Sequence, residues 1–188
     1  MDGRRLSDIS GLWHGQWRRP LHGLTSLAAA AHHGFELLAG VGLVFQPYLG
    51  LGGAGALWAT SLPVWIAASA RGSRRWDPVL AFLAGLSLGG AALHYALWPF
   101  EIRRGVPLLT QAEGLRPKHL PAYSGIILTW GGVAAAALVF DTPRRDRRWA
   151  LPGILIAMAL RGSARRHFEW IREQAAMQPT WWNRALRR

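Results

Sequence analysis

The sequence predicts an all-α integral membrane protein: a compact bundle of four to five transmembrane helices with amphipathic terminal helices. Three observations support this class. Hydrophobic residues make up 51% of the 188-residue chain, and they are concentrated in four blocks, each close to the roughly 20 apolar residues that a spanning helix needs. Short arginine-rich segments separate these blocks. The chain has no cysteine, which excludes disulfides, thiol catalysis and thiolate-bound zinc.

The predicted spans have recognisable boundaries and one recognisable contact face. Asp77 and Pro78 open the third span in the manner of a helix cap followed by a proline at the first helical position. Within that span, Gly85 and Gly89 have the spacing of a close helix-packing face. The four predicted spans are residues 24–46, 50–70, 78–98 and 122–140.

Both ends of the bundle are predicted to be amphipathic. Residues 1–23 are expected to form a Trp-rich interfacial leader and residues 163–188 a basic C-terminal segment, which leaves 24–162 as the transmembrane bundle. Within it, the stretch Trp149–Leu160 is apolar but too short to span unaided. Two alternatives therefore remain for residues 149–171: a fifth crossing, or a half-helix at the membrane interface.

The net charge of +12 is explained by residues that flank the apolar blocks, as anionic headgroups and the positive-inside rule favour. Nucleic acid is therefore not an expected partner. Eleven arginines lie in the leader and in the loops 71–77 and 142–148, against four basic residues at 99–121, which predicts a cytoplasmic amino terminus. Arginine outnumbers lysine 21 to 1. That bias indicates a GC-rich bacterial genome, and the predicted location is the inner membrane of the cell.

The first span carries three ionisable residues, His32, His33 and Glu36. Ionisable groups in hydrocarbon are costly and are commonly functional. His32 and Glu36 are four residues apart and share a helix face, whereas His33 points about 100° away from His32. The expected role is a buried acid/base pair, with a helix-packing hydrogen bond as the alternative.

Depth along straight helices predicts which other side chains could meet this pair. At 1.5 Å per residue, Glu36 lies about 18 Å and His94 about 22 Å from the cytoplasmic ends of their helices. The predicted catalytic residues are therefore Glu36, His32 and His94. Residues at a similar depth, together with one from the long outer loop 99–121, are predicted to bind the substrate: Trp58, Tyr95, Thr129, Trp130, Arg161 and Glu113.

The sequence predicts no cofactor and no metal site, and a metal ion held by His32, His33, Glu36 and His94 is the less favoured alternative. The chain has neither a His-Glu-x-x-His motif nor the clustered histidine motifs of membrane di-iron enzymes. His33 and His94 differ by about 9 Å in predicted depth, which disfavours a haem held by two histidines.

These residues predict a small integral-membrane enzyme that uses acid/base chemistry on an apolar isoprenoid, sterol-like or lipid substrate. Glu36 would protonate an alkene or epoxide and so start an isomerisation or cyclisation. In broad design this is similar to the small membrane-embedded terpene cyclases and sterol isomerases, although no motif matches residue by residue. The alternatives are a non-catalytic membrane subunit, an assembly factor or a small carrier. Expected partners are membrane lipids, and for a subunit a second copy or another membrane protein.

Overall fold

The computed structural model describes residues 18–71, 73–112 and 114–187. The described chain is mainly helical, and a single two-stranded hairpin lies within it. The predicted leader 1–23 lies outside the described residues up to position 17. The α-helices are, in order, α1 (Pro20–Ala39), α2 (Gln46–Arg71), α3 (Asp77–Leu97), α4 (Leu120–Ala136), α5 (Ala150–Ala159) and α6 (Arg161–Met177).

Three helical stretches of the described residues are long and apolar enough to cross a membrane. They are Gln46–Arg71, Arg74–Leu97 and Pro117–Asp141. They correspond to the second, third and fourth predicted spans. The predicted helical class is therefore confirmed, and membrane association is supported by length and composition.

The sequence predicts that the first apolar block is one helix to residue 46, but the helix ends earlier in the structure. Helix α1 ends at Ala39, because Gly40 adopts the left-handed conformation (φ 86°) that closes a helix. Gly42 is also left-handed, and a Cβ there would lie 2.6 Å from Ile171 of α6. Glycine and tertiary contact therefore turn the chain where hydropathy alone predicts a continuous span.

The amino end of α1 is tied to the ends of two other helices. The backbone N–H of Leu21 donates to Asp141 at 2.7 Å, and His22 bonds to Thr142 at 3.0 Å. Arg19 forms a buried ion pair with Asp77 at the start of α3. Asp141 ends the π-helical segment Ala137–Asp141 that continues α4. These contacts therefore place the start of α1, the start of α3 and the end of that segment at one end of the bundle.

Helices α3 and α5 make a very close contact through glycine. A Cβ on Gly85 would lie 2.6 Å from the Cα of Ala150, and one on Gly89 would lie 2.7 Å from the Cβ of Ala157. Gly153 of α5 similarly meets the backbone of α3. The face predicted from the Gly85 and Gly89 spacing is therefore used, and its partner is α5.

The fifth predicted segment, 149–171, is divided into two helices. Helix α5 has 10 residues and is about 15 Å long, too short to cross a bilayer. The helix breaks at Leu160, and α6 continues with its buried residues at His167, Ile171 and Ala175, one face of an amphipathic helix. Together the two helices run along α3 from the level of Gly85 to Trp98, so the segment passes toward the far end of α3 as two helices and not as one continuous helix.

The loop 99–121 contains a short β-hairpin, which the sequence reading did not predict. Strands β1 (Phe100–Arg103) and β2 (Val106–Leu109) pair antiparallel. The turn between them has two residues with positive φ, Arg104 (52°) and Gly105 (78°), as a tight hairpin turn requires. The hairpin is fastened to α4, because Ser124 accepts a hydrogen bond from the backbone of Leu109 at 3.0 Å.

The C-terminal segment folds back to the end of the bundle that carries the hairpin. The backbone N–H of Ala185 donates to the carbonyl of Gly40 at 3.1 Å, and Leu186 lies against Gly114. Helix α6 reaches the same end, where Phe168 contacts Trp98.

Among the described residues, basic side chains are divided almost equally between the two ends of the bundle. Nine described basic residues lie at the end where α1 begins: Arg18, Arg19, Arg71, Arg74, Arg75, Arg144, Arg145, Arg147 and Arg148. Ten lie at the opposite end: Arg103, Arg104, Arg116, Lys118, Arg161, Arg165, Arg166, Arg172, Arg184 and Arg187. The basic tail lies at the same end as the loop 99–121 and adds to its charge, and the cytoplasmic amino terminus stays a prediction.

Candidate functional site

The polar residues of α1 form the centre of the site. The Nε2 of His32 lies 3.6 Å and the Nδ1 of His33 lies 3.7 Å from the same carboxylate oxygen, Oε2 of Glu36. Both histidines are buried, with 2% and 8% of their surface exposed. His33 therefore belongs to the cluster, although its side chain points about 100° away from that of His32. Glu36 lies one helical turn further on and points in a direction between the two histidines, so it can contact both.

Two neighbouring helices complete the cluster. Tyr123 of α4 donates its hydroxyl hydrogen bond to the other carboxylate oxygen of Glu36, Oε1, at 2.6 Å. His94 of α3 places its ring centroid 4.8 Å from that of His32, edge to face. The Nδ1 of His94 bonds to the carbonyl of Gly90 at 2.7 Å, which fixes the ring.

Two tryptophans cover the imidazole rings. The indole of Trp130 stacks on His32 with centroids 4.8 Å apart and an interplanar angle of 17°. Trp58 of α2 lies 3.9 Å from the ring of His33. Because an indole face attracts cations, the two tryptophans favour a bound molecule that carries positive charge.

The cluster lines a cavity of about 380 Å³, within the range of small-molecule sites. The remaining wall is apolar and comes mainly from α2, α3 and α6. Val64 of α2 and Val79 of α3 line it and are also 59% and 44% exposed. The cavity therefore opens sideways between α2 and α3, on the surface that would face lipid.

Helix α6 closes the cavity at the hairpin end. His167 and Phe168 both line it, and the ring of His167 bonds to the carbonyl of Val41 at 3.2 Å. Burial lowers the pKa of His167 below its ordinary value, against the opposing effects of the Glu36 carboxylate and the Val41 carbonyl. His167 is therefore neutral near pH 7 and donates to Val41.

No protein-family model, curated protein or solved structure matches this chain.

The structure brings together five of the residues predicted from the sequence. Glu36, His32 and His94, the predicted catalytic residues, surround one point, and Trp58 and Trp130 cover them.

Three predicted substrate-binding residues lie elsewhere. Thr129 is exposed on the outer face of α4. Tyr95 turns toward the hairpin, where its hydroxyl donates to the carbonyl of Pro107 at 3.3 Å. Arg161 lines a separate cavity of about 190 Å³ beside Trp98. Depth along a helix does not determine which way a side chain points, because each successive residue is rotated by about 100°. Residues at a suitable depth can therefore face away from the site. The last predicted residue, Glu113, lies outside the described residues.

Sequence reasoning missed two residues of the site. Tyr123 is the first aromatic residue of the fourth predicted span. A tyrosine buried there needs a hydrogen-bond partner for its hydroxyl, and this need could have indicated a contact with a polar residue such as Glu36. His167 lies in a segment whose amphipathic pattern indicates burial of that face. Nothing local in the sequence, however, places α6 against the end of α1.

Proposed function

We propose that this protein is a small integral-membrane enzyme that isomerises or cyclises an apolar isoprenoid, sterol-like or lipid substrate by proton transfer. The observation that carries the proposal is the position of Glu36. Its carboxylate is held by Tyr123, lies within 3.7 Å of two buried imidazoles, and lines an apolar cavity. A proton-transferring group in an apolar pocket is what general acid catalysis on an alkene needs.

The proposed reaction needs no co-reactant. In its acid form, with the proton on the Oε2 that faces His32 and His33, Glu36 supplies that proton to an alkene carbon. A C–H bond forms there and the carboxylate remains, and the proton that the base later accepts returns to Glu36 to restore the acid. The carbocation then loses a proton from a neighbouring carbon, or is attacked by a second alkene of the same molecule before that loss. His94 lies on the far side of His32 and is the proposed base. The indole faces of Trp58 and Trp130 stabilise the positive charge.

The shape of the cavity supports an apolar substrate drawn from the bilayer. Its opening lies between α2 and α3, two of the candidate spans, so a lipid-soluble molecule could enter without crossing water. The smaller cavity shares Trp98 and Phe168 with the larger one and carries Arg161 and Arg165. An anionic group at one end of the substrate would therefore meet guanidinium groups.

Deuterium uptake tests the proposal. The protein in nanodiscs is incubated in D₂O with a panel of polyprenyl and sterol-like alkenes, and the lipids are extracted and weighed by mass spectrometry. We expect a product one mass unit heavier with the wild type and at least a hundredfold less of it with Glu36→Gln, because the variant has no acidic proton. Glu101→Gln is the matched control: Glu101 is partly exposed and pairs with Arg103 on the hairpin.

The results that contradict the proposal are equally specific. Uptake that is unchanged by Glu36→Gln would place the acid elsewhere. Absence of uptake with the wild type across the panel, together with no apolar molecule that co-purifies, would reject an enzyme of this class.

The second candidate function is a non-catalytic membrane subunit, assembly factor or carrier. The observation in its favour is the outer face of α2, where Gly52 and Gly55 have nothing within 4 Å of an added Cβ and Ala59 on the same face is exposed. Such a face allows close approach of another helix. Chemical cross-linking at position 55 in native membranes distinguishes a membrane subunit from the proposed enzyme. A subunit should give one defined adduct with its partner, whereas an enzyme that acts alone should give none.

A further inference from the structure

We infer that His32, Glu36 and His94 form a binding site for one divalent transition-metal ion, zinc or iron. The inference goes beyond the proposed function, because an ion could bind there whether or not the protein is an enzyme. It is carried by the geometry of the three side chains and by the hydrogen bonds that leave their inner atoms free.

The three side chains offer one ligand atom each within 4.8 Å of the other two. A metal ion with bonds of about 2.0–2.1 Å needs its ligand atoms roughly 3.4 Å apart. The Nε2 of His32 and the Oε2 of Glu36 are already 3.6 Å apart. The separations that involve His94 are at most 4.8 Å and must close by up to about 1.4 Å, which rotation about side-chain bonds achieves.

Hydrogen bonds to the outer atoms of His94 and Glu36 orient these side chains, as the hydrogen-bond partners of metal ligands commonly do. The Nδ1 of His94 donates to the carbonyl of Gly90, so the lone pair of its Nε2 is free to bind. Tyr123 occupies the Oε1 of Glu36 and leaves the Oε2 free. Metal-ligating histidines and carboxylates commonly have such partners on their outer atoms, which fix the tautomer and the ring orientation.

His32 supplies the independent observation. It is 98% buried, with 2% of its surface exposed, and its Nδ1 has no hydrogen-bond partner. Its Nε2 lies 3.6 Å from Glu36, which is too long for a hydrogen bond. A buried imidazole without any hydrogen bond is costly, and a metal ion on Nε2 would give one of the two ring nitrogens a strong partner.

The ligand set indicates the class of metal. Two imidazoles and one carboxylate suit zinc and non-haem iron, and with three protein ligands both ions keep open coordination positions. Those positions would face the cavity that the same three residues line. A bound ion would occupy the Glu36 oxygen that faces the histidines, and a water molecule acidified by that ion, instead of the carboxyl, would then supply the proton of the proposed reaction.

Metal analysis of the purified protein tests the inference without any substrate. The full chain is produced with an affinity tag that contains no histidine, purified in detergent without chelator, and its metals are measured by inductively coupled plasma mass spectrometry. We expect close to one equivalent of zinc or iron per chain, reduced at least tenfold in His94→Gln and in Glu36→Gln. His119→Gln is the matched control, since His119 contacts Phe35 outside the three-residue group.

A second measurement serves if the variants fail to fold. The wild-type apoprotein is titrated with Co²⁺, and we expect visible ligand-field absorption that saturates at one ion per chain and is lost on addition of Zn²⁺. A wild-type protein that contains no metal and gives no such absorption would overturn the inference. So would a metal content that both variants and the control retain alike.

These outcomes are independent of turnover. If metal is absent but Glu36-dependent deuterium uptake is seen, the metal site is wrong and the enzyme proposal stands. If one equivalent of metal binds but no alkene takes up deuterium, the reverse holds.

Discussion

The hydrogen bond between Tyr123 and Glu36 gives the sharpest test of the site as a structural unit. In Tyr123→Phe the ring stays and only the hydroxyl that donates to Oε1 of Glu36 at 2.6 Å is lost. That distance is in the range of a hydrogen bond to a charged acceptor. Because Tyr123 is only 3% exposed, water cannot readily replace the missing donor.

The expected loss of stability follows from these contacts. A hydrogen bond to a charged group contributes about 1.5–3 kcal/mol to the free energy of unfolding. For a chain of this length, that corresponds to a decrease in the unfolding temperature of roughly 3–12 °C. The matched control is Tyr95→Phe, whose hydroxyl donates at 3.3 Å to a neutral carbonyl, for which we expect a loss of at most about 1 kcal/mol.

Thermal unfolding in detergent, followed by tryptophan fluorescence, measures both variants. Trp130 stacks on His32, so its emission should report on the cluster. A double-mutant cycle with Glu36→Gln should show that the two changes are not additive, with a coupling of about 1 kcal/mol or more. If Tyr123→Phe unfolds within one degree of the wild type, or if the two effects simply add, the hydrogen bond does not hold the cluster together.

The remaining predictions concern the frame around the site. Asp77→Asn leaves Arg19 buried without its partner and should destabilise by about 3–5 kcal/mol; a loss as small as that of the partly exposed Glu101→Gln, about 0–1 kcal/mol, would contradict the buried pair. In Gly153→Ala the new Cβ would lie 2.6 Å from the backbone N of Leu86, so the helices must separate at a cost of about 1–3 kcal/mol. Gly132→Ala, with nothing within 4 Å, should be neutral or slightly stabilising by the same thermal assay.

Part of the candidate site could be predicted from sequence because it depends on one helix. His32 and Glu36 are four residues apart, so any helix through them brings their side chains together. Placing His94 at a similar depth also needed only the rise per residue. Thr129 shows where this reasoning stops, since its depth is suitable but its direction is not: it is exposed, while its neighbour Trp130 is buried against His32.

The predicted end of the first span and the fifth segment differ from the structure for a related reason. Hydropathy averages over many residues, whereas a helix ends at particular ones. Gly40 ends α1 through a left-handed conformation. At Leu160 the apolar helix α5 ends and the amphipathic helix α6 begins. The sequence correctly indicated that each stretch is apolar or amphipathic, but it did not indicate the residues at which the helices end.

By itself the sequence determined the helical class, three apolar stretches long enough to span, the pairing of His32 with Glu36, and the glycine face of α3. These properties are local, because they follow from helical periodicity, segment length and the absence of a side chain at particular positions. Only the tertiary structure decided that Tyr123 holds Glu36, that α6 closes the cavity, and that the basic tail joins the hairpin end. Those choices depend on how each helix is rotated and what packs against it, which contacts between distant residues determine.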